Sequence, residues 1–364
     1  MLLQVLGEGA RIFWRMEGEK TRSSFAGKHV AETHAAKTHA FAATDIERNE
    51  ILVLASTSRL ERLATLGLQS FFPEEVSDEE VYKATKQAEL HSMMLEQDRT
   101  FFAQKMREEG LEFAFMKGAL ADGVFWRRSG LRGGSDVDVL VKEQDLAAVD
   151  RFLLEDGYRL RGDEKSPVTW AAKPERHYQH SDHRFDFDVH YEFGKTSLYA
   201  RCGTEVLSRA QKYGDENTYG LCEADWLATL ALNMASQKFE GMYTAALDAY
   251  AITLFAPEQV KEGARRAMEW GAGWGLWGLY RLVTVGFGAP WPGGPPECDL
   301  NAAKKEIVDE VLGLSTRKRP QKRAWQRALY VERPLLGTRL LLRDIRMRTL
   351  YKSRDYWSRI RSIK

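Results

Sequence analysis

Two carboxylates separated by one valine, Asp136-Val137-Asp138, run directly into the apolar Val139-Leu140-Val141. Side chains on a strand alternate between faces, so Asp136 and Asp138 project to one side and Val137 and Val139 to the other. Carboxylates about 6–7 Å apart at the start of a strand cannot both be buried without a cation between them. Magnesium, or manganese in its place, takes carboxylate oxygens and leaves positions open for phosphates. Upstream, Lys117-Gly118-Ala119 follows a short apolar strand, Phe113–Met116, and opens a helical run. A small-residue turn there lets backbone N–H groups approach a phosphate at a helix N-terminus. Strand, small turn, helix, loop and Asp-x-Asp on the next strand are the parts that metal-dependent nucleotidyl transfer needs.

A second chemistry-bearing stretch is Phe185–Tyr191, which alternates strictly. Phe185, Phe187, Val189 and Tyr191 share one face, and Asp186, Asp188 and His190 share the other. Three ionisable groups on one face call for a metal, a ligand or water. In a nucleotidyl-transfer centre a third carboxylate stands on a neighbouring strand and acts on the incoming hydroxyl.

With these residues in place, the segment resembles the nucleotidyltransferase superfamily that shares the DNA polymerase beta catalytic core. More closely, it resembles a bacterial family of uncharacterised nucleotidyltransferases. The shared features are the apolar-Lys-Gly turn (Lys117-Gly118), an Arg four residues before the first Asp (Arg132), Ser135 immediately before it, Asp136-x-Asp138, and the later acidic-apolar-His strand Asp188-Val189-His190. The resemblance covers roughly Ile46 to Pro292 and is strongest over Phe113–Tyr158. One departure is Gly118-Ala119, where the superfamily has Gly-Gly or Gly-Ser.

The resemblance implies an α+β fold: a polymerase-beta-like nucleotidyltransferase core, with a small mixed sheet and helices, flanked by N-terminal and C-terminal helical regions. It implies a catalytic and metal-binding triad of Asp136, Asp138 and Asp188, with Asp186 the alternate for the third position. It gives a triphosphate cradle of Lys117, Gly118, Arg132 and Ser135. His190 is a candidate contact behind the ligands or to substrate. The reaction implied moves a nucleoside monophosphate from a nucleoside triphosphate such as ATP, with Mg2+ or Mn2+, onto a hydroxyl of a protein, RNA or small molecule. A toxin-like nucleotidyltransferase modifying tRNA and a non-catalytic nucleotide- or RNA-binding module on the same fold are the alternatives. The intact triad favours the enzyme. Arg132 pairing with a core carboxylate and an exposed Lys117 are the bland readings of those two residues.

Histidines recur at His177, His180 and His183, just upstream of the second stretch. Imidazoles at this spacing are zinc-ligand candidates, but without a nearby thiolate the expectation is an exposed hairpin loop that carries them incidentally. His29, His34 and His39 lie in the segment Met1–Thr44, which reads as solvated or locally helical surface.

The elements that must position these groups are largely helical. Ile46–Leu54 and Leu60–Leu68 show helical apolar spacing, and Ser77-Asp78-Glu79-Glu80 reads as the start of a long helix to about Glu109, stopped by Gly110. After the Asp-x-Asp strand come a helix over Glu143–Asp156, short strands at Tyr158–Arg161 and Val168–Ala171, and, from Cys222, helices over Glu223–Phe239, Tyr243–Phe255, Pro257–Trp270 and Trp274–Gly286. Trp270, Trp274 and Trp277 read as core aromatics between helices, and Gly286–Pro296 as a break. The expected division is an N-terminal region over 1–110, a catalytic core over 111–221, a helical domain over 222–314 and a basic tail over 315–364.

The chain has 364 residues, 44% hydrophobic and 29% charged, which fits an ordinary globular protein. It has no apolar run of membrane-spanning length and no signal-peptide pattern, and Cys202, Cys222 and Cys298 are widely spaced. A cytoplasmic protein with reduced thiols is the expectation. The net charge of +1 conceals an asymmetry, because Ser315–Lys364 holds sixteen basic residues against three acidic ones. With Trp325, Tyr330, Tyr351, Tyr356 and Trp357 interleaved, this tail suits RNA phosphates and bases, docking on the acidic body, or an anionic membrane surface.

Overall fold

The alternating stretch becomes a central strand, and the Asp-x-Asp strand lies beside it in a computed structural model of the chain. The structure describes residues 4–12, 55, 60–72, 74, 76–127, 129–161, 175–182, 185–193, 202–214, 219–236, 242–298 and 300–312. The expected helix over Ile46–Leu54, the strand over Val168–Ala171, His183, the three histidines of the N-terminal segment and the basic tail lie outside the described residues.

Seven strands form one mixed sheet: β1 (Phe113–Phe115), β2 (Asp136–Val141), β3 (Tyr158–Leu160), β4 (Glu175–His180), β5 (Asp186–His190), β6 (Gln211–Lys212) and β7 (Tyr219–Gly220). Their order is β3-β4-β5-β2-β1-β7-β6. β2 and β5 run parallel, so Asp136 stands opposite Asp186, Asp138 opposite Asp188 and Leu140 opposite His190. β1 pairs antiparallel with β2, and β4 antiparallel with β5, placing Glu175 opposite His190 and His177 opposite Asp188.

The sheet's other face is apolar, as the alternation requires. Val137, Val139, Phe187 and Val189 are all fully buried. They are covered by the long helix α3 (Asp78–Glu108) and by α5 (Leu146–Glu155). Phe102 of α3 meets Phe187 at 5.1 Å and Phe152 of α5 at 5.5 Å between ring centroids. A side chain buried like Phe102 contributes about 1.5–3 kcal/mol through lost apolar exposure alone. The start of α3 follows from its sequence: Ser77 accepts a hydrogen bond from the Glu80 amide while Glu80 accepts one from the Ser77 amide. Gly110 and Gly157, both at positive φ, follow the ends of α3 and α5 as expected.

The N-terminal segment departs from the surface reading over its described part. Residues 4–12 form a helix, α1, with Val5, Leu6 and Ala10 buried. Its apolar residues fall on one face at helical spacing, which a segment this rich in glycine and charge obscures. α2 (Glu61–Phe71) matches the expected leucine run. α4 (Lys117–Val124) follows β1, and α6 (Gly203–Ser208) lies after the site strands. The later helices are α7 (Glu223–Ser236), α8 (Met242–Phe255), α9 (Val260–Glu269) and α10 (Gly273–Arg281), the last continuing as a π turn over Leu282–Gly286. Trp270 and Trp274 are buried, as core aromatics should be. Met1–Cys298 make up one compact unit and Asp299–Lys364 a second, of which α11 (Ala302–Val311) is the described helix.

Candidate active site

The parallel register of β2 and β5 builds the site. It brings Asp136, Asp138, Asp186, Asp188 and His190 onto one face of two adjacent strands. Asp138 and His190 are buried, while Asp136, Asp186 and Asp188 are partly exposed. His190 Nε2 lies 3.0 Å from Asp138 Oδ1. Ligand atoms of Asp138, Asp188 and His190 all fall within 4.8 Å of one another. Asp136 stands one alternation nearer the start of β2, where Ser135 Oγ donates to its Oδ1 at 3.2 Å.

Lys117 reaches this face from the other side. The Met116 amide donates to the Asp138 carbonyl at 3.0 Å, which sets the turn beside the carboxylates. Lys117 itself has φ +46, a left-handed conformation that a side chain with a Cβ rarely adopts. Its ammonium donates to Asp138 Oδ1. Burial opposes the charge of Lys117, but contact with Asp138 outweighs it and raises the pKa above that of an ordinary lysine. Burial likewise works against Asp138, yet Lys117 and His190 hold its pKa well below the usual carboxylate range. Asp136 goes the other way: burial, then Asp138 and Asp188, push it up to about 6. The exposed reading of Lys117 therefore gives way to a paired one.

β4 supplies two groups that sequence reasoning missed. His177 does not sit in a loop; it lies on β4, with Nδ1 2.5 Å from Asp188 Oδ1 and Nε2 3.3 Å from Glu175 Oε1. Asp188 and Glu175 raise its pKa to about 10, so it is an imidazolium at neutral pH. Glu175 also places Oε2 3.4 Å from His190 Nδ1. His180 of the same strand turns away, its Nε2 3.0 Å from the Asp156 carbonyl. The strand is hard to recognise because its inward residues include Arg176, which is buried and pairs with Asp150.

The cradle residues divide. Gly118 lies in the first turn of α4, and Ser135 touches Asp136. Arg132 is buried and bidentate to Asp248 of α8, with Nε to Oδ1 3.0 Å and Nη2 to Oδ2 2.7 Å. Burial opposes its charge, and Asp248 more than offsets this. A Cβ on Gly118 would come within 2.7 Å of Arg132 Nη1, so the turn rests directly on the guanidinium.

The donor set fits a divalent cation. Asp136, Asp138, Asp186, Asp188 and Glu175 put five carboxylates around one ammonium and two imidazoles, and Asp138, Asp188 and His190 converge closely enough to share an ion. Such a concentration of negative charge on a half-buried face is stabilised by a cation.

The family model for uncharacterised nucleotidyltransferases matches residues 44–287, and the chain belongs to that family. Comparison with curated proteins gives no match. Among the described residues, no helix is long and apolar enough to cross a membrane.

Proposed function

We propose that the protein is a metal-dependent nucleotidyltransferase that moves a nucleoside monophosphate from a nucleoside triphosphate onto an acceptor hydroxyl. One observation carries this reading: the in-register pairing of Asp138 on β2 with Asp188 on β5, beside the Lys117-Gly118 turn. We read β1, β2 and β5 with α3 and α4 as a polymerase-beta-like core, with helical regions before and after it.

Each residue then has a task. Asp136, Asp138 and Asp188 hold the metal, with His190 among the candidate donors. An ion held by these residues would supply charge neutralisation at the phosphates and a lowered pKa for the acceptor hydroxyl. Lys117 turns its ammonium to the triphosphate, and the amides at the start of α4 face the same anion. Gly118 leaves room for that approach. Arg132, tied to Asp248, fixes the turn from behind, so its part is to position the phosphate site. Asp188 accepts the proton of the acceptor hydroxyl, the oxygen attacks the α-phosphorus in line, and pyrophosphate leaves.

The test supplies each labelled triphosphate with a divalent ion and a lysate separated into protein, RNA and small-molecule fractions. Label should enter one fraction with the wild type and none with Asp138→Asn. Equal labelling by both proteins would sink the reading.

A further inference from the structure

We infer that His190 is a direct ligand of the catalytic ion, that Glu175 sets its tautomer, and that this nitrogen makes the centre prefer Mn2+ over Mg2+. The inference rests on the proposed metal-dependent function and goes beyond it by naming the ion and the residue that selects it.

The geometry at the ring carries the argument. His190 is buried on β5 with a carboxylate against each nitrogen: Glu175 Oε2 at 3.4 Å from Nδ1 and Asp138 Oδ1 at 3.0 Å from Nε2. A neutral imidazole carries one proton, and a carboxylate can only accept. With Nδ1 turned to Glu175, Nε2 is the ring nitrogen that can ligate an ion shared with Asp138, in place of the 3.0 Å hydrogen bond between them. Asp138 Oδ1 also accepts from the Lys117 ammonium, so an ion entering between Asp138 and His190 takes the place of that contact. Donors bonded at right angles to an ion about 2.1 Å away lie about 3 Å apart, which matches the observed separation. Asp188 completes the group, since its ligand atom lies within 4.8 Å of the other two.

Glu175 stands where a carboxylate commonly orients a metal-binding histidine. Such a partner fixes the ring and raises its basicity. It is itself held by His177 Nε2 at 3.3 Å, and His177 Nδ1 holds Asp188 at 2.5 Å. The four side chains thus link β4 to both β5 ligands. The carboxylates of Asp136, Asp138 and Asp188 with one imidazole make a mixed oxygen-nitrogen set. Magnesium is a hard ion bound through oxygens and dehydrates reluctantly. Manganese shares its six-coordinate, oxygen-rich habit and accepts imidazole more readily.

The experiment reads the ligand without requiring turnover. Mn2+ is added to the full-length protein and electron spin echo envelope modulation is recorded for 14N. The wild type should show directly bound nitrogen, His190→Gln should lose it, and His177→Gln should keep it. By calorimetry Mn2+ should bind at least tenfold more tightly than Mg2+. His190→Asp should bring that ratio close to one, and Glu175→Gln should weaken Mn2+ binding by about tenfold. Bound Mn2+ without nitrogen modulation in the wild type would overturn the inference, as would modulation that survives His190→Gln. Nitrogen-ligated Mn2+ in a protein that transfers no nucleotide would instead count against the proposed function and leave this inference standing.

Discussion

Gly118 sits directly against Arg132: a methyl group at position 118 would lie 2.7 Å from Arg132 Nη1. The guanidinium has nowhere to retreat, because Asp248 holds it through two hydrogen bonds in a buried setting. Asp248, on a helix far along the chain, thereby fixes the height of the Lys117-Gly118 turn. The small residue after Lys117 serves this contact, as well as the phosphate approach proposed for the turn.

Gly118→Ala should therefore cost stability as well as binding. Forcing a methyl into this contact should lower the unfolding free energy by about 1–3 kcal/mol. Asp248→Asn should cost more, about 3–5 kcal/mol, because it leaves a buried guanidinium without its counter-charge. Denaturant unfolding measures both. A Gly118→Ala protein as stable as the wild type would show that Arg132 is free to move.

Asp136 and Asp138 should respond oppositely to neutralisation. The folded pKa of Asp138 is depressed, so its charge stabilises the fold above the unfolded value of about 4 and loses that effect as pH falls. That of Asp136 is raised to about 6, so its contribution turns unfavourable as pH rises from about 4 through 6. In metal-free buffer at pH 7, Asp136→Asn should raise the unfolding free energy by about 1–2 kcal/mol. Asp138→Asn should lower it by about 3 kcal/mol, since it strands Lys117. A shift of the same sign in both variants would contradict the assigned environments.

Legibility in the sequence tracked how regular the local pattern was. The strand at Phe185–Tyr191 and the cap at Ser77 were readable because alternation and capping are local signals. β4 was not, since Arg176 occupies an inward position where alternation leads one to expect an apolar residue, and its partner Asp150 is on α5. That single charge hid the strand, and with it Glu175 and His177. Asp248 was equally silent: one acid in the apolar run MYTAALDAYAITLF, whose partner Arg132 lies 116 residues away in sequence. The carboxylates of the site were legible, whereas the side chains that orient them were contributed by long-range pairing.

His177 gives a distinct pH signature. Its pKa is raised to about 10 by Asp188 and Glu175. The stabilisation is fully present below the unfolded value of about 6.5 and disappears as pH rises through about 10. The stability difference between wild type and His177→Gln should shrink across that window. Unfolding measured at pH 6, 8 and 10 in metal-free buffer tests it, and a difference constant with pH would rule out the imidazolium.

Lys117 should act on the ion and the nucleotide in opposite directions. Its ammonium sits on Asp138, one of the groups proposed to hold the metal, so it competes with the ion for the same carboxylate. Lys117→Met removes the charge and keeps most of the side-chain length. Calorimetry should show tighter Mn2+ binding in this variant, by about tenfold, and weaker binding of a non-hydrolysable triphosphate. The backbone separates charge from strain. At φ +46 a residue with a Cβ pays about 1–2 kcal/mol that glycine does not. Lys117→Gly should therefore bind Mn2+ as tightly as Lys117→Met but be the more stable of the two by roughly that amount, less about 0.5–1 kcal/mol for glycine's greater freedom when unfolded. Weaker Mn2+ binding in both variants would mean that Lys117 supports the metal site, and would reverse the role assigned to its contact with Asp138.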